Sequence, residues 1–488
     1  MVIESLKYKI LQQFGFAPTQ EQGQALDTFV SFLTDRDPQA VMILRGSAGT
    51  GKTSLSGAIV RTLLQIRQKV MLLAPTGRAA KVFSLGSGAP AYTIHRRIYR
   101  EKAFAGVDGQ FSLNDNLYTD TLFMVDEASM IANMGLGGTT FGSGCLLDDL
   151  VKFVYQGHND RLLLIGDKAQ LPPVGEEESP ALSASVMEGY GLKVYECDLN
   201  EVLRQSQSSG ILYNATLIRQ MITHDAVTGL PLIRFKGFAD IVMMPGAELV
   251  ESLGDSYHHV GMDETMVITR SNKRANIYNN GIRNMVLDRE EELSSGDMLM
   301  IVKNNYFWTE KEKKESGEGS AGAVPAFLAN GDRAKVLRVS NYIELYGFRF
   351  ATLLLQLPDY DDYEMQVTGM LDTLQSEAPA LTHEQQEELF RQVEEDYQHF
   401  VPLKAARMKS IRQDAYFNAL QIKYAYAVTC HKAQGGQWAH VYVDQGYMTD
   451  DMLTPDYIHW LYTAFTRATD KLFLVNWPKE QTCEPTDL

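Results

Sequence analysis

The stretch GSAGTGKT at residues 46–53 has the residue types and the spacing of a loop that binds phosphate groups. Glycines let backbone N–H groups close around phosphate oxygens, and a following helix adds a favourable dipole. Lys52 would reach the β- and γ-phosphates, and the Thr53 hydroxyl would bind Mg²⁺. The motif predicts a nucleotide site formed by Gly46, Ser47, Ala48, Gly49, Thr50, Gly51, Lys52 and Thr53.

Two adjacent carboxylates, Asp126 and Glu127, follow the apolar run TLFMV. Asp126 would hold the magnesium ion and Glu127 would orient and polarise the attacking water. Such a pair is more often a solvated turn, but a phosphate-binding loop upstream favours the catalytic interpretation. Together the two motifs predict hydrolysis of a nucleoside triphosphate.

Gln170 in GDKAQLPPV (166–174) is a candidate for sensing the γ-phosphate. The two prolines offer an alternative, a turn whose glutamine has no chemical role. The residues alone leave both interpretations open.

Apolar runs predict the elements that must position these groups. AVMILRG, KVMLLAP, TLFMVDE and RLLLIGD are typical of strands in a buried parallel sheet, whose carboxyl ends form the ligand edge. TMVITRSN, HVYVDQG and KLFLVNW predict a second α/β domain. Between them, AKVLRV, YIELYGF and RFATLLLQL predict short antiparallel strands, and residues 381–400 predict an acidic helix with Thr382 as its N-cap.

Length and composition limit the number of domains and the classes of protein to which the chain can belong. A chain of 488 residues needs two to four domains. Its net charge of −16 argues only weakly against nucleic acid, because residues 356–415 hold 13 acidic against 5 basic residues. Four cysteines without a CxxC pair argue against a zinc site and against disulfides. No apolar run approaches the length of a bilayer span, so we expect a cytoplasmic protein without a membrane partner.

Eight motifs occur in a fixed order along the chain: GSAGTGKT, APTGRAAK, TIHR, DEAS, GDKAQLPPV, LNEVLRQ, VTCHKAQGGQW and LYTAFTRA. In this order they resemble the superfamily 1 helicases, in the 5′-to-3′ branch with RecD-like and phage Dda-like enzymes. The resemblance runs from about Pro18 to Trp477. It implies an α/β fold with two RecA-like P-loop domains, at 1–205 and at 206–300 with 416–488, and an SH3-like β-barrel insertion at 301–415.

The resemblance also assigns residues at the nucleotide, with ATP and Mg²⁺ as cofactors. Gln22 is similar to the adenine-reading glutamine of the family. Arg204 and Arg467 are similar to two arginines that reach the γ-phosphate from either side of a cleft. An arginine fork suits phosphate oxygens, and one supplied by a second domain makes hydrolysis depend on closure.

Hydroxyl, amide, cationic and aromatic side chains at matching positions imply a sequence-independent grip on single-stranded DNA. These are Pro75, Thr76, Arg78, Thr93, His95, Asn272, Asn305, Tyr306, Thr429, His431 and Lys432. Trp438 suits base stacking or a buried core equally well.

Residues 101–118 contain a predicted β-hairpin with its turn at Asp108-Gly109. At this place the family carries a pin that separates strands; the alternative is a surface connector. Two segments depart from the pattern of this family: the Gly-rich segment 131–145 and the acidic insertion 359–415. The insertion would dock on the first domain, bind a protein partner or simply be solvated. The first seventeen residues leave little room for an accessory domain, as in the Dda-like form.

The resulting expectation is a monomeric, ATP-dependent DNA helicase that moves 5′ to 3′ on single-stranded DNA and acts at duplex junctions. Two alternatives stay open. One is an RNA helicase of the same superfamily, and the other is a nucleic-acid-stimulated ATPase that remodels complexes without unwinding.

Overall fold

The computed structural model describes residues 2–105, 108–135, 142–201, 208–223, 229–316, 324–325, 327–401, 403–449 and 452–483. The chain divides into two compact units. The first comprises residues 1–244 and 433–488, and the second comprises residues 245–432.

A six-stranded sheet, parallel throughout, is the centre of the first unit. The order across it is β3 (Ala91–Thr93), β2 (Lys69–Ala74), β6 (Thr121–Val125), β7 (Arg161–Gly166), β1 (Ala40–Gly46) and β8 (Lys193–Leu199). Strands β1, β2, β6 and β7 are the four predicted apolar runs. The sequence did not indicate the edge strands β3 and β8.

Helices cover both faces of this sheet, which is why its strands are apolar on both sides. Met42 and Leu44 of β1 belong to one hydrophobic core, whereas Val41 and Ile43 belong to the other. The helices of this unit are α1 (Val2–Phe14), α2 (Gln20–Leu33), α3 (Lys52–Gln65), α4 (Gly77–Ser87), α5 (Ile94–Ile98), α6 (Leu146–Gln156), α7 (Ala184–Gly189), α8 (Gly210–Thr223) and α15 (Pro455–Phe465).

The same unit contains strands from the end of the chain. β10 (Ile241–Met244) pairs with β19 (Ala468–Val475), which pairs with β18 (Trp438–Asp444), all in parallel. β9 (Ile233–Arg234) pairs with β20 (Thr482–Cys483). The described parts of residues 208–244 and 433–483 therefore pack with the first two hundred residues, and the predicted domain bounds stay a prediction.

The predicted hairpin is present as β4 (Tyr99–Ala105) and β5 (Asp108–Leu113), but its predicted turn is wrong. Asp108 pairs with Ala105 and Gly109 with Phe104, so both lie in a strand. The connection is residues 106–107, which lie outside the described residues. Phe111 and Leu113 pack against a hydrophobic core, and this burial on one face sets the strand register that the turn must follow.

The second unit contains a closed five-stranded barrel, which confirms the predicted insertion. Its strands are β12 (Met298–Ile301), β13 (Arg333–Leu345), β14 (Phe348–Leu357), β15 (Tyr363–Met370) and β16 (Leu420–Tyr424). The predicted bounds 301–415 omit β12 and β16. β16 closes the barrel because it pairs with both β12 and β15.

The acidic helix α12 (His383–Phe400) begins at Thr382, whose side chain forms a capping box with Gln385. Its Leu389 and Val393 pack with Phe350 of β14 and with α13 (Lys404–Arg412). The insertion thus docks on the barrel of its own unit; a protein partner there stays a prediction. The remaining elements are α9 (Leu249–His259), β11 (Thr265–Thr269), α10 (Asn272–Gly281), α11 (Phe307–Ser316), β17 (Ala427–Thr429) and α14 (Cys430–Ala433).

Parallel sheets flanked by helices, together with the barrel, confirm the predicted fold class. Among the described residues, no helix combines the length and the apolar composition that crossing a bilayer requires.

Candidate functional site: a nucleotide site joined to a strand-binding edge

The phosphate-binding loop connects β1 to α3, as the motif requires. Gly51 has φ +82°, a left-handed conformation that glycine adopts without strain, and α3 begins at the next residue. Lys52 Nζ donates to the carbonyl oxygens of Gly46 and Ser47, the latter at 2.9 Å. The lysine is therefore folded onto its own loop and would turn outward to reach phosphates.

Asp126 and Glu127 follow the end of β6, in the sheet that carries the loop. Glu127 has φ +52°, which costs energy for a residue with a side chain and is typical of functional positions. Loss of solvation, and secondly the charge of Glu127, raises the pKa of Asp126 to about 7. An acidic pair of this kind is stabilised by a divalent cation.

Mg²⁺ fits this donor set. Asp126 and the Thr53 hydroxyl offer the hard oxygen ligands that Mg²⁺ prefers, and a nucleotide's phosphates would supply further oxygens. In the part of the chain that the structure describes, no cluster of three or more His, Cys, Asp or Glu side chains could hold a metal alone. A bound ion would polarise the phosphate oxygens, whereas Glu127 would position the water.

Gln170 joins the carboxylates to Arg467. In the amide orientation that satisfies both ends, its nitrogen donates to Glu127 Oε2 at 3.3 Å and its oxygen accepts from Arg467 Nη2 at 3.2 Å. Arg467 is buried, and its other donors bond the oxygens of Thr463 and Gly436. This geometry supports the γ-phosphate interpretation over a turn without a role.

Helix α15 holds the Gln170 turn in place. Thr463 Oγ1 accepts from Leu171 N at 2.8 Å, and His459 Nδ1 lies 2.9 Å from the carbonyl oxygen of Ala169. The Tyr462 hydroxyl donates to Asp167 Oδ2 at 2.6 Å and accepts from Ala48 N at 3.0 Å. One helix thus contacts the turn and the phosphate-binding loop, and Arg467, just beyond its end, contacts Gln170.

Two further predictions concern the nucleotide. Gln22 is buried, and its amide accepts from Thr19 N and donates to Thr50 O at 2.9 Å, so it lies against the loop. Its role at adenine stays a prediction. Arg204 lies outside the described residues.

Sequence reasoning missed Arg219 of α8. Its guanidinium donates to Ser47 Oγ in the phosphate-binding loop and lies 3.5 Å from Asn200 Oδ1. No motif marks this arginine. Asp167, Tyr462 and Gln434 were also missed, although each stands inside a motif that the sequence displays.

Residues 434–438, here termed the coupling segment, contact both the nucleotide site and the predicted DNA-binding residues. Gln434 Nε2 donates to the carbonyl oxygen of Leu171 at 2.7 Å. Arg78 Nη2 donates to Gln437 O at 2.6 Å, and its guanidinium lies 4.5 Å from the centroid of the Trp438 ring. A Cβ on Gly435 would lie 3.1 Å from Thr76 Oγ1.

Trp438 is almost fully buried, so its ring belongs to the core and supports Arg78 instead of stacking on a base. Thr76 caps α4, accepting from Ala79 N, and Pro75 precedes it. Thr93 stands at the N-cap position of α5 without a capping hydrogen bond, and its hydroxyl has no hydrogen-bond partner among the described residues. Desolvation lowers the pKa of His95 to about 4, so its imidazole is neutral at physiological pH.

In the second unit, Asn272, Thr429 and Lys432 line one pocket together with Asn276 and Lys423. Lys423 was not predicted. The Lys432 Nζ is buried without a hydrogen-bond partner among the described residues, an arrangement that favours an anion. His431 is exposed beside this pocket.

Asn305 and Tyr306 do not join that pocket. Asn305 bonds Asn418 O and Trp308 N, and Tyr306 stacks on Phe327 with centroids 4.7 Å apart. Both side chains therefore fix the local structure near the barrel. Their role in binding DNA stays a prediction.

Comparisons with known proteins agree with this arrangement. Residues 17–229 match the family model of an AAA domain, and residues 424–475 match a UvrD-like helicase C-terminal domain. The ATP-dependent RecD2 DNA helicase of Deinococcus radiodurans is 30% identical over 32% of this chain and 18% of its own length. The ATP-dependent DNA helicase Dda of Enterobacteria phage T4 is 25% identical over 53% of this chain and 55% of its own.

The chain thus spans less than two thirds of the length of these relatives. Among solved structures, Bacteroides Pif1 helicase in complex with ADP-AlF3 and single-stranded DNA has a TM-score of 0.45 and 13% identity, with 96% of this chain and 95% of that chain covered. The two domain models, the two relatives and the motif order lead to one assignment. The chain is similar to the superfamily 1 helicases, in the 5′-to-3′ branch with RecD-like and Dda-like enzymes.

Proposed function

We propose that this protein is an ATP-dependent DNA helicase that moves 5′ to 3′ along single-stranded DNA and unwinds the duplex ahead. The observation that carries the proposal is the coupling segment. Gln434 bonds the turn of Gln170, and Arg467 bonds Gly436 within the same segment. Thr76 and Arg78 lie against its other side.

The residues divide the work as follows. Lys52, Thr53 and Asp126 bind MgATP, Glu127 orients the water, and Gln170 with Arg467 responds to the γ-phosphate. A change at Arg467 reaches the coupling segment through its hydrogen bond to Gly436, and a change at Gln170 reaches it through the neighbouring Leu171, whose carbonyl oxygen accepts from Gln434. Such a change alters how Thr76 and Arg78 hold a strand, so hydrolysis is converted into movement.

A second grip lies in the pocket of Asn272, Thr429 and Lys432. Cations and amides bind a phosphate backbone without reading sequence, which suits a protein that moves along a strand. The relatives named DNA helicases support DNA over RNA. The motifs set polarity only through the family, so polarity needs a direct test.

Strand displacement on two partial duplexes, with a 5′ or a 3′ single-stranded tail, tests the proposal. Wild-type protein with ATP is expected to unwind the 5′-tailed duplex only, and Lys52→Ala to unwind neither. A 5′ RNA tail is the third arm. Unwinding only from a 3′ tail would contradict the polarity, preference for RNA would favour the RNA helicase, and ATPase without displacement would favour the remodelling module.

A further inference from the structure

The Gly-rich segment has an anchored position beside the hairpin. Gly142 N donates to the carbonyl oxygen of Phe111 in β5 at 2.8 Å. Ser143 N donates at 3.0 Å to Asp149 Oδ2, which also accepts from the Tyr99 hydroxyl at 2.7 Å. Tyr99 is the first residue of β4. One buried carboxylate therefore binds the Gly-rich segment and the base of the hairpin together.

This junction admits no larger residue at position 142. Gly142 has φ +47°, and a Cβ there would lie 2.0 Å from Asp149 Oδ2 and 2.7 Å from Tyr99 Cε1. Asp149 is 3% exposed and lies in the first turn of α6, where the helix dipole stabilises a negative charge. The contacts of Asp149 with Ser143 and Tyr99 therefore require a glycine at position 142.

The other described end of the segment is fixed near the nucleotide site. It begins four residues after Glu127, and Glu176 Oε1 accepts from Asn133 N at 2.6 Å and from Met134 N at 2.8 Å. Glu176 follows the turn of Gln170 by six residues. A Cβ on Gly135 would lie 3.7 Å from Cys145 Sγ, so the two described ends of the segment approach each other.

We propose that the two described ends of the Gly-rich segment, residues 131–135 and 142–145, brace the base of the hairpin in a fixed position relative to Asp126 and Glu127, with Asp149 as the positioning residue. This inference rests on the proposed helicase function. An isolated two-stranded hairpin is only marginally stable, whereas opening each base-pair step works against base stacking. A hairpin that separates strands therefore needs support at its base.

The test compares unwinding of a forked duplex with single-stranded-DNA-stimulated ATP hydrolysis in the same variants. Gly142→Ala and Asp149→Ala are expected to slow unwinding about tenfold, since each breaks the hydrogen bonds of this junction. Their stimulated ATPase rate should stay within about twofold of wild type, which also shows that they fold. Asp149→Asn keeps an acceptor oxygen and should recover most of the unwinding rate.

Asp148→Ala is the matched control, because Asp148 is the neighbouring acid and, within the described ranges, forms an ion pair with Lys152 on the same helix. It should leave both rates unchanged. A brace defect should also be larger on GC-rich than on AT-rich forks, since a displaced hairpin no longer contributes to opening base pairs. A general loss of stability would not produce this dependence.

Equal losses of unwinding and ATPase, or unwinding at the wild-type rate in Gly142→Ala, would overturn the brace. If wild-type protein hydrolyses ATP and unwinds no fork, the helicase proposal fails and the brace fails with it. If wild type unwinds and the variants do too, only the brace fails.

Discussion

The hydroxyl of Tyr462 lies 2.6 Å from Asp167 Oδ2 and accepts a hydrogen bond from Ala48 N of the phosphate-binding loop. Burial, with the charge of Asp167, raises the pKa of this tyrosine, so the hydroxyl stays protonated as a donor. A single side chain on the helix before Arg467 thus connects the loop to the turn of Gln170. We infer that this connection sets the loop position before ATP binds.

Tyr462→Phe tests that inference. Removing the hydroxyl leaves Asp167 Oδ2 without this donor and frees Ala48 N, a change of about 1–1.5 kcal/mol. We expect kcat/KM for DNA-stimulated hydrolysis to fall about tenfold. Tyr457→Phe removes a hydroxyl from the same helix that bonds Gln445 instead, and it should leave the rate unchanged. Equal rates for both variants would contradict the inference.

Arg219 is expected to contribute to ATP binding. Its guanidinium already bonds Ser47 in the phosphate-binding loop, close enough to turn toward bound phosphates. Arg219→Ala should lower kcat/KM for ATP about tenfold or more, as the loss of a charged hydrogen bond predicts. Lysine supplies the positive charge without the planar guanidinium, so Arg219→Lys should retain only part of the kcat/KM that Arg219→Ala loses. Thr216→Ala, on the same helix, is the control, and an unchanged kcat/KM in Arg219→Ala would exclude the role.

The pocket of the second unit predicts proton uptake when DNA binds. Burial and, secondly, the charge of Lys423 lower the pKa of Lys432 to about 8. Burial lowers the pKa of Lys423 to about 8 as well. A bound phosphate would stabilise the charged lysines and raise these values again. Affinity for single-stranded DNA should therefore fall as the pH rises above 8, where the free lysines lose their protons.

Calorimetric titration at about pH 9 in two buffers of different ionisation enthalpy measures this uptake. Lys432→Arg should reduce it, because a guanidinium stays protonated. In the absence of DNA, stability should change with pH in the opposite direction to DNA affinity. Above pH 8 the unfolded chain binds more protons than the folded one, so the free energy of unfolding should rise with pH. Binding heats that do not depend on the buffer would contradict the phosphate assignment.

A buried ion network predicts where the second unit is most sensitive to mutation. Asp297 is fully buried and accepts from Arg283, Arg289 and the Tyr426 hydroxyl. Asp297→Ala would leave Arg283 buried without its partner, at a cost of about 3–5 kcal/mol in the free energy of unfolding. Glu388→Ala breaks an exposed pair with Arg391 and should lower the free energy of unfolding far less, because solvent screens an exposed pair. Urea unfolding measures both, and equal effects would show that the network is not structural.

The parallel sheet was predictable because β1, β6 and β7 are continuous apolar runs, and burial on both faces leaves no other pattern. The positions of Asp126, Glu127 and the phosphate-binding loop were predictable for the same reason, since each follows such a strand. The position of the hairpin turn was not predictable from the sequence, because the burial of Phe111 and Leu113 outweighs the local preference of Asp-Gly for a two-residue turn.

Arg219 and Lys423 show the other limit of the sequence. Arg219 lies far along the chain from Ser47, and Lys423 lies far from Asn272 although it is near Lys432, and neither stands in a motif. Asn305 and Tyr306 show the reverse, since their residue types suit DNA while their contacts are used inside the unit. The type of a side chain therefore identifies candidate binding residues, and tertiary contacts show which of them already bond to neighbours inside the protein.

Stopped-flow translocation would measure directly whether ATP hydrolysis drives the protein along single-stranded DNA in one direction. Single-stranded oligonucleotides of increasing length would carry a fluorophore at the 3′ or at the 5′ end. With ATP, we expect arrival at the 3′ end to be delayed in proportion to length, and this delay to vanish in Lys52→Ala. Length-dependent arrival at the 5′ end, or no dependence on length at either end, would contradict the account.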